Sequence, residues 1–234
     1  MQRRSTRKRE PIAELPELGA GITLVDVDEE LGVTPVQTLV IDRLLATDGD
    51  AFWVDGANRA KTARLRELAP HPRYLDRVAV GRGFTPYQHT SLVDRLAGRL
   101  EDTPGAVVAT GVDRLYRADD LSTERATEML VRTIAALARV GRVHDVPVIV
   151  TRVREDEFSN PLGNAAKTRL RCRKTAFGPR FEDVDTGTET LVYHSGDGWV
   201  QTTLAYWQDV LEHRVRMHEH AAASQPIGTA SNPS

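Results

Sequence analysis

A cluster of basic residues in the second half of the chain is the feature of the sequence best suited to binding chemistry. Residues 152–180 contain eight Arg or Lys and three acidic residues, in a protein whose formal net charge is −2. Side chains of this kind contact backbone phosphates of nucleic acids without reading the bases. The segment therefore predicts a local basic patch that could bind a polyanion in an otherwise near-neutral protein.

The same residues have a second interpretation that requires no ligand. Arg169, Arg171 and Arg173 alternate with Leu170 and Cys172, which predicts a strand with one charged face and one buried face. A solvated arginine face on an edge strand prevents strand-to-strand aggregation. The sequence leaves both interpretations open.

Histidines near the carboxyl terminus do not form a convincing metal site. They lack a pair at i, i+4 together with a third committed ligand, which is the arrangement that zinc sites on helices use. We therefore predict no metal ion. The residues concerned are His213, His218, Glu219 and His220.

Length and composition place the chain among soluble α/β proteins of one domain. Its 234 residues are 40% hydrophobic and 27% charged, and no apolar run approaches the roughly 20 residues that span a bilayer. Cys172 is the sole cysteine, which excludes an intramolecular disulfide. We predict a cytoplasmic protein without membrane contact, a disordered basic arm over 1–15, a core domain over 16–220 and a disordered tail over 221–234.

Short apolar runs alternate with helical periods along the core. The predicted strands are 21–27, 51–55, 77–80, 106–110 and 148–151, with helices between them and another from about residue 204. Strands that alternate with helices require right-handed crossovers and hence a parallel sheet covered on both faces. Towards the carboxyl terminus, 190–195 and 198–203 predict an antiparallel hairpin.

Three strings in this order of elements resemble the ATPase core of the archaeal RadA branch of the RecA superfamily. They are VAVGRGFTPYQHTSLV (78–93), LYRADDLSTERATEMLVRTIAALARVGRVHDVPVIVT (115–151) and NPLGNAAKTRLRCRK (160–174). The resemblance covers about residues 20–212. It implies a RecA-like P-loop NTPase fold, with a mostly parallel central sheet flanked by helices and a C-terminal antiparallel extension.

The resemblance breaks down where such proteins bind phosphate. The family needs G-x-x-x-x-G-K-[ST], whose glycines and Lys surround the phosphates and whose hydroxyl holds Mg²⁺. Here the segment over 29–36 has no Lys, lacks the final hydroxyl, loses one N–H to a proline and carries two carboxylates that repel phosphate. The degenerate positions are Glu29, Gly32, Thr34, Pro35 and Val36. A plain strand-turn-helix connection, with Thr34 as N-cap and Pro35 at N1, explains them.

The other positions that the family uses for hydrolysis are also changed. Where it places a catalytic Glu after the second strand, this chain offers Asp55 alone. The Walker B strand ends in Thr110, with Asp113 three places further on, and the phosphate-sensing Asn-Gln is replaced over 151–154. We predict no catalytic residues, no ATP or Mg²⁺ as cofactor and no enzyme activity.

The second DNA-binding loop of the family falls on the basic segment. The candidate DNA-binding residues that this implies are Arg152, Arg154, Asn160, Lys167, Arg169, Arg171 and Arg173. The candidate partners are single-stranded DNA and a RadA-type recombinase; the oligomeric state stays undetermined.

These features lead to three functional hypotheses. The first is a non-catalytic accessory factor in recombination or repair, the second a regulatory protein–protein module with no DNA affinity, and the lowest-ranked an ATPase with a non-standard P-loop.

Overall fold

The computed structural model describes residues 15–56, 60–100, 104–176, 178–190 and 203–223. The predicted hairpin, nearly all of the predicted arm and most of the predicted tail lie outside these residues. Within them, no helix is long and apolar enough to cross a membrane.

The described chain alternates strands and helices before it ends in an antiparallel strand pair and a long helix. Its elements are β1 (Gly21–Val27), α1 (Thr34–Ala46), β2 (Ala51–Gly56), α2 (Thr62–Leu68), β3 (Val78–Gly83), α3 (Pro86–Arg99), β4 (Ala106–Thr110), α4 (Thr123–Val143), β5 (Pro147–Val150), α5 (Asn160–Ala165), β6 (Thr168–Thr175), β7 (Gly178–Asp183) and α6 (Thr203–Ala223).

All seven strands belong to one sheet, in the order β3-β2-β4-β5-β1-β6-β7. Strands β1 to β6 run parallel, and β7 pairs with β6 in the antiparallel sense. The predicted α/β class, with its mostly parallel sheet and antiparallel extension, is confirmed. Central strands such as β4 and β5 are buried at every position because helices cover both faces, which explains their continuous apolar runs.

Two hydrophobic layers sandwich the sheet. Helices α1, α2 and α6 pack together over one layer, and α3, α4 and α5 over the other. Right-handed crossovers account for this division, because the chain leaves β1 and β2 in one direction along the sheet and leaves β3, β4 and β5 in the other.

That division creates two crevices at the carboxyl edge of the sheet. Where neighbouring parallel strands send their connections to opposite faces, a crevice opens outside their carboxyl ends, and ligands of open α/β sheets bind there. Inside the sheet, the neighbours of this kind are β5 with β1, and β2 with β4; the edge strand β3 is related to β2 in the same way. We call the two interior sites the β5/β1 crevice and the β2/β4 crevice.

Capping residues fix where the helices begin. Ser122 accepts a hydrogen bond from the backbone N–H of Arg125, so its predicted role as N-cap of α4 is confirmed. The corresponding prediction for Thr34 is wrong: the cap position of α1 is Val33, and no side chain closes it. Helix α1 instead begins at Thr34 and has Pro35 in its first turn, where the missing N–H costs nothing.

Strand β6 keeps the predicted alternation but not the predicted position. Leu170 and Cys172 are buried, whereas Arg169 and Arg173 are exposed. However, β6 lies between β1 and β7, so the interpretation of its arginines as protection for an edge strand is wrong. Strand β7 and the short helix α5 were not predicted, because six residues carry too little periodicity to be recognised.

Two glycines in helices test how tightly α4 packs on the sheet. A Cβ at Gly141 would lie 2.9 Å from Cα of Gly21, whereas one at Gly98 in α3 would meet nothing within 4 Å. We expect Gly141→Ala to lower the free energy of unfolding by about 1–3 kcal/mol, because the backbone of β1 must shift. Gly98→Ala should raise it by about 0.5–1 kcal/mol through helix propensity. Denaturant unfolding of both variants measures this difference; equal effects would contradict the packing described.

Candidate functional site

The β5/β1 crevice is filled by an ion pair between side chains of the protein. Arg152, just after β5, donates from Nε and Nη2 to the two carboxylate oxygens of Asp26 on β1, at 2.8 and 2.7 Å. Its side chain is 5% exposed and also contacts Glu155 at 2.9 Å. A guanidinium this deeply buried needs such partners, because an unpaired buried charge is strongly destabilising. The place where a bound anion would be expected is therefore occupied by an aspartate.

The connection from β1 to α1 is a short turn. One turn of 3-10 helix, Glu29–Leu31, buries Leu31 and ends at Gly32, whose φ of 59° suits glycine. Thr34, Pro35 and Val36 already belong to the first turn of α1, and Val36 is fully buried. The degenerate P-loop positions thus form a strand-turn-helix connection.

Carboxylates of this turn are held by β6. Asp28 accepts a hydrogen bond from the backbone N–H of Lys174 at 2.9 Å, and Glu30 pairs with the Lys174 ammonium at 2.5 Å. That contact lowers the pKa of the Glu30 carboxyl below its ordinary value. The turn is therefore tied to the neighbouring strand by its acidic side chains.

The segment after β5 is fixed by a second set of charge-assisted hydrogen bonds. Asp156 accepts two bonds from Arg117, at 2.8 and 2.7 Å, and one from Arg154 at 2.7 Å. Arg117 holds the pKa of the Asp156 carboxyl well below its usual range. Arg117 also donates to Asp113, which is fully buried and accepts the backbone N–H of Val153. Both carboxylate oxygens of Asp113, which the sequence comparison offered as an alternative to the Walker B Asp, therefore accept hydrogen bonds from within the protein.

The arginines of β6 are paired in the same manner. Arg169 pairs with Asp185. Arg173 lies 2.6 Å from Glu182, and Arg171 lies 3.7 Å from Glu155. Their side chains are nevertheless between 41% and 47% exposed. Unlike Arg152, they can therefore exchange partners with a ligand in solution.

The structure brings the predicted DNA-binding arginines together, with a carboxylate beside each of them. Glu155 bridges Arg152 and Arg171. Of the other two predicted residues, Lys167 donates to the carbonyl of Ala20 and Asn160 opens α5. The basic segment predicted from composition is thus close to neutral in the fold.

Polar side chains also fill the β2/β4 crevice. Asp55, at the end of β2, is fully buried and accepts the backbone N–H of Ala60 at 3.0 Å. Thr110, at the end of β4, lies 3.3 Å from Asp55 and accepts a hydrogen bond from the indole of Trp53 at 3.0 Å. Trp53 is thus part of the hydrophobic core. The positions compared with the catalytic Glu and the Walker B Asp bond to each other.

Beside this crevice lies a buried network that the sequence did not reveal. His89 Nδ1 is 2.8 Å from the hydroxyl of Tyr116, which also contacts Thr90 and Thr133. Nε2 of His89 is buried and has no hydrogen-bond partner among the residues that the structure describes. Desolvation lowers the pKa of His89 from 6.5 to about 4. The imidazole is therefore neutral at physiological pH and acts as a packed polar group.

The carboxyl-terminal histidines are spread along α6. His218 Nε2 lies 3.7 Å from Asp42, and His220 contacts the backbone carbonyl of Arg216. No cluster of three or more metal-ligating side chains occurs in the part of the chain that the structure describes.

The sequence matches no protein-family model and no curated protein at a significant level.

The ion pair of the β5/β1 crevice can be tested by a double-mutant cycle. Arg152→Ala and Asp26→Ala should each lower the free energy of unfolding by about 1–3 kcal/mol, because each removes the bidentate partner of a charge that is only partly solvated. The double variant should lose clearly less than the sum of the two. Chemical denaturation of all four proteins provides the measurement; additive losses would show that the two side chains are not coupled.

His89 gives a pH dependence whose sign follows from its lowered pKa. Below pH 6.5 the unfolded chain binds a proton at this residue that the folded protein does not, so stability falls with pH until about pH 4. The loss at pH 4 should be about 3 kcal/mol. His89→Gln removes the titration, so its curve should be flatter than that of the wild type between pH 6.5 and 4. Parallel curves would contradict the assignment.

Proposed function

We propose that this chain is a RecA/RadA-like protein that does not hydrolyse ATP and serves as an accessory factor in DNA recombination or repair. In this role it binds single-stranded DNA, a RadA-type recombinase, or both. The three strings of resemblance and the order of elements support the relationship. The fold alone does not carry the functional assignment, because one fold serves many functions.

The proposal that the protein does not hydrolyse ATP depends above all on the contact between Arg152 and Asp26. A phosphate in the β5/β1 crevice would have to displace a carboxylate that is bidentate to a buried guanidinium and then lie beside the acidic turn over 28–30. Both steps are electrostatically unfavourable. The P-loop also supplies no Lys to compensate. These features favour a scaffold role over nucleotide hydrolysis.

DNA contact is supported by the exposed arginines of β6. Arg169, Arg171 and Arg173 stand on one face of the strand, and each is more than two-fifths exposed. The side chains of their carboxylate partners are between 27% and 62% exposed, and ion pairs of this kind contribute little stability. A phosphate can therefore replace a carboxylate at modest cost, which makes the expected binding weak and sensitive to salt.

One observation favours the second hypothesis, a protein–protein module without DNA affinity. Every arginine of the predicted DNA-binding set has a carboxylate within 4 Å. A nearly neutral surface repels a nucleic acid less than an acidic one but does not attract it over long distances.

Fluorescence anisotropy of a labelled single-stranded oligonucleotide, at two salt concentrations and with or without Mg-ATP, distinguishes these functions. We expect binding that weakens steeply with salt and does not depend on Mg-ATP. Replacing Arg169, Arg171 and Arg173 by Ala should weaken binding and flatten the slope of log K against log salt by up to about 2, since single strands contribute roughly 0.7 per phosphate contact.

The matched control removes three arginines from other parts of the surface. Arg66, Arg139 and Arg142 are exposed and have no carboxylate within 4 Å among the described residues. Their triple Ala variant should retain the wild-type slope. Absence of binding at either salt would reject the DNA hypothesis in favour of the protein module, and a Mg-ATP requirement would support the ATPase hypothesis.

A further inference from the structure

Two aromatic side chains stand exposed at the carboxyl edge of the sheet, on the connection from β3 to α3. Phe84 is 66% exposed and Tyr87 is 56% exposed. The other large apolar side chains that are exposed in the described chain lie on other elements: Val131, Val143, Val153, Val184 and Met217. The two rings therefore form an isolated pair rather than part of a wide apolar patch.

The backbone that carries both rings is held by the surrounding structure. The backbone N–H of Phe84 donates to Gln88 at 3.0 Å, and Thr85 caps α3 by accepting the N–H of Gln88. Gly83 lies so close to His89 that a Cβ there would be 2.9 Å from its backbone. Tyr87 belongs to the first turn of α3, which this cap closes. Exposed rings on a fixed backbone lose less conformational entropy on binding a ligand than rings on an unfixed loop would.

The charges around the two rings nearly cancel. Arg82, at the carboxyl end of β3, lies 3.7 Å from the buried carboxylate of Asp55. Arg114, which follows β4 at the same edge, is exposed and has no carboxylate within 4 Å among the described residues. The connection after β4 also carries exposed Asp119 and Asp120. The charge on this half of the edge is thus nearly balanced, so stacking rather than charge must provide the affinity.

We propose that Phe84 and Tyr87 form a stacking platform for the bases of single-stranded DNA, with Arg82 and Arg114 at its border. Every base presents a flat π face, so stacking on aromatic side chains is tolerant of sequence. This inference rests on the proposed function and adds a second contact region, separate from the arginines of β6. A small, isolated pair of rings matches one or two bases, whereas the core of a protein interface needs a larger apolar area.

Anisotropy with the full chain and a labelled oligothymidylate tests the platform. Phe84→Ala and Tyr87→Ala should each weaken binding on the order of 10-fold, while the slope of log K against log salt stays at the wild-type value. Phe84→Trp should restore binding, and Phe84→Leu should not, since Leu is apolar but cannot stack. Val143→Ala is the matched control, because it removes an apolar side chain that is as exposed as Phe84 but lies at the carboxyl-terminal end of α4, away from the proposed platform. Thermal unfolding establishes that each variant is folded.

An oligonucleotide with abasic sites in place of its bases gives an independent readout. Wild-type protein should bind it as weakly as the Phe84→Ala/Tyr87→Ala double variant binds the intact strand. Undiminished binding by the two Ala variants would overturn the platform and leave the proposed function standing. No binding by the wild type would overturn both. Ala variants that bind DNA normally but no longer associate with a RadA-type recombinase would assign the rings to a protein contact, which also overturns the proposal.

Discussion

The buried guanidinium of Arg152 is the constraint around which the carboxyl edge of this protein is arranged. It joins the end of β5 to β1 through Asp26, and through Glu155 it reaches Arg171 on β6. Removing Asp26 would leave the buried guanidinium of Arg152 with only the exposed Glu155 as a carboxylate partner, which is destabilising. The neighbouring turn and the segment after β5 must therefore keep their positions relative to the sheet.

This arrangement divides the carboxyl edge into two halves of different chemistry. Around β5, β1 and β6, arginines and carboxylates neutralise each other in a connected set of ion pairs. Around β3, β2 and β4, buried Asp55 and Thr110 bond to each other, and two aromatic rings are exposed on the connection after β3. Charged ligands could reach the first half by exchanging ion pairs, and flat uncharged groups could reach the second.

A sheet of this topology provides crevices whether or not they are used for chemistry. Here both crevices are filled by side chains of the chain itself: Arg152 with Asp26 in one, and Asp55 with Thr110 in the other. A scaffold that fills its own crevices still has an ordered edge, and surface side chains on that edge remain available for binding. The proposed role as an accessory factor uses this surface instead of a catalytic centre.

The sequence by itself determined the α/β class, the bounds of β1 and β4 and the Ser122 cap, because apolar periodicity and capping depend on neighbours along the chain. It also located the basic segment, and the arginines of that segment do lie together. Only the tertiary structure decided that neighbouring carboxylates balance the positive charge of these arginines. Arg169 meets a carboxylate 16 residues away, and Arg152 meets one 126 residues away. No local pattern encodes contacts at such separations, and the same holds for the exposure of Phe84, which depends on what the rest of the fold leaves uncovered.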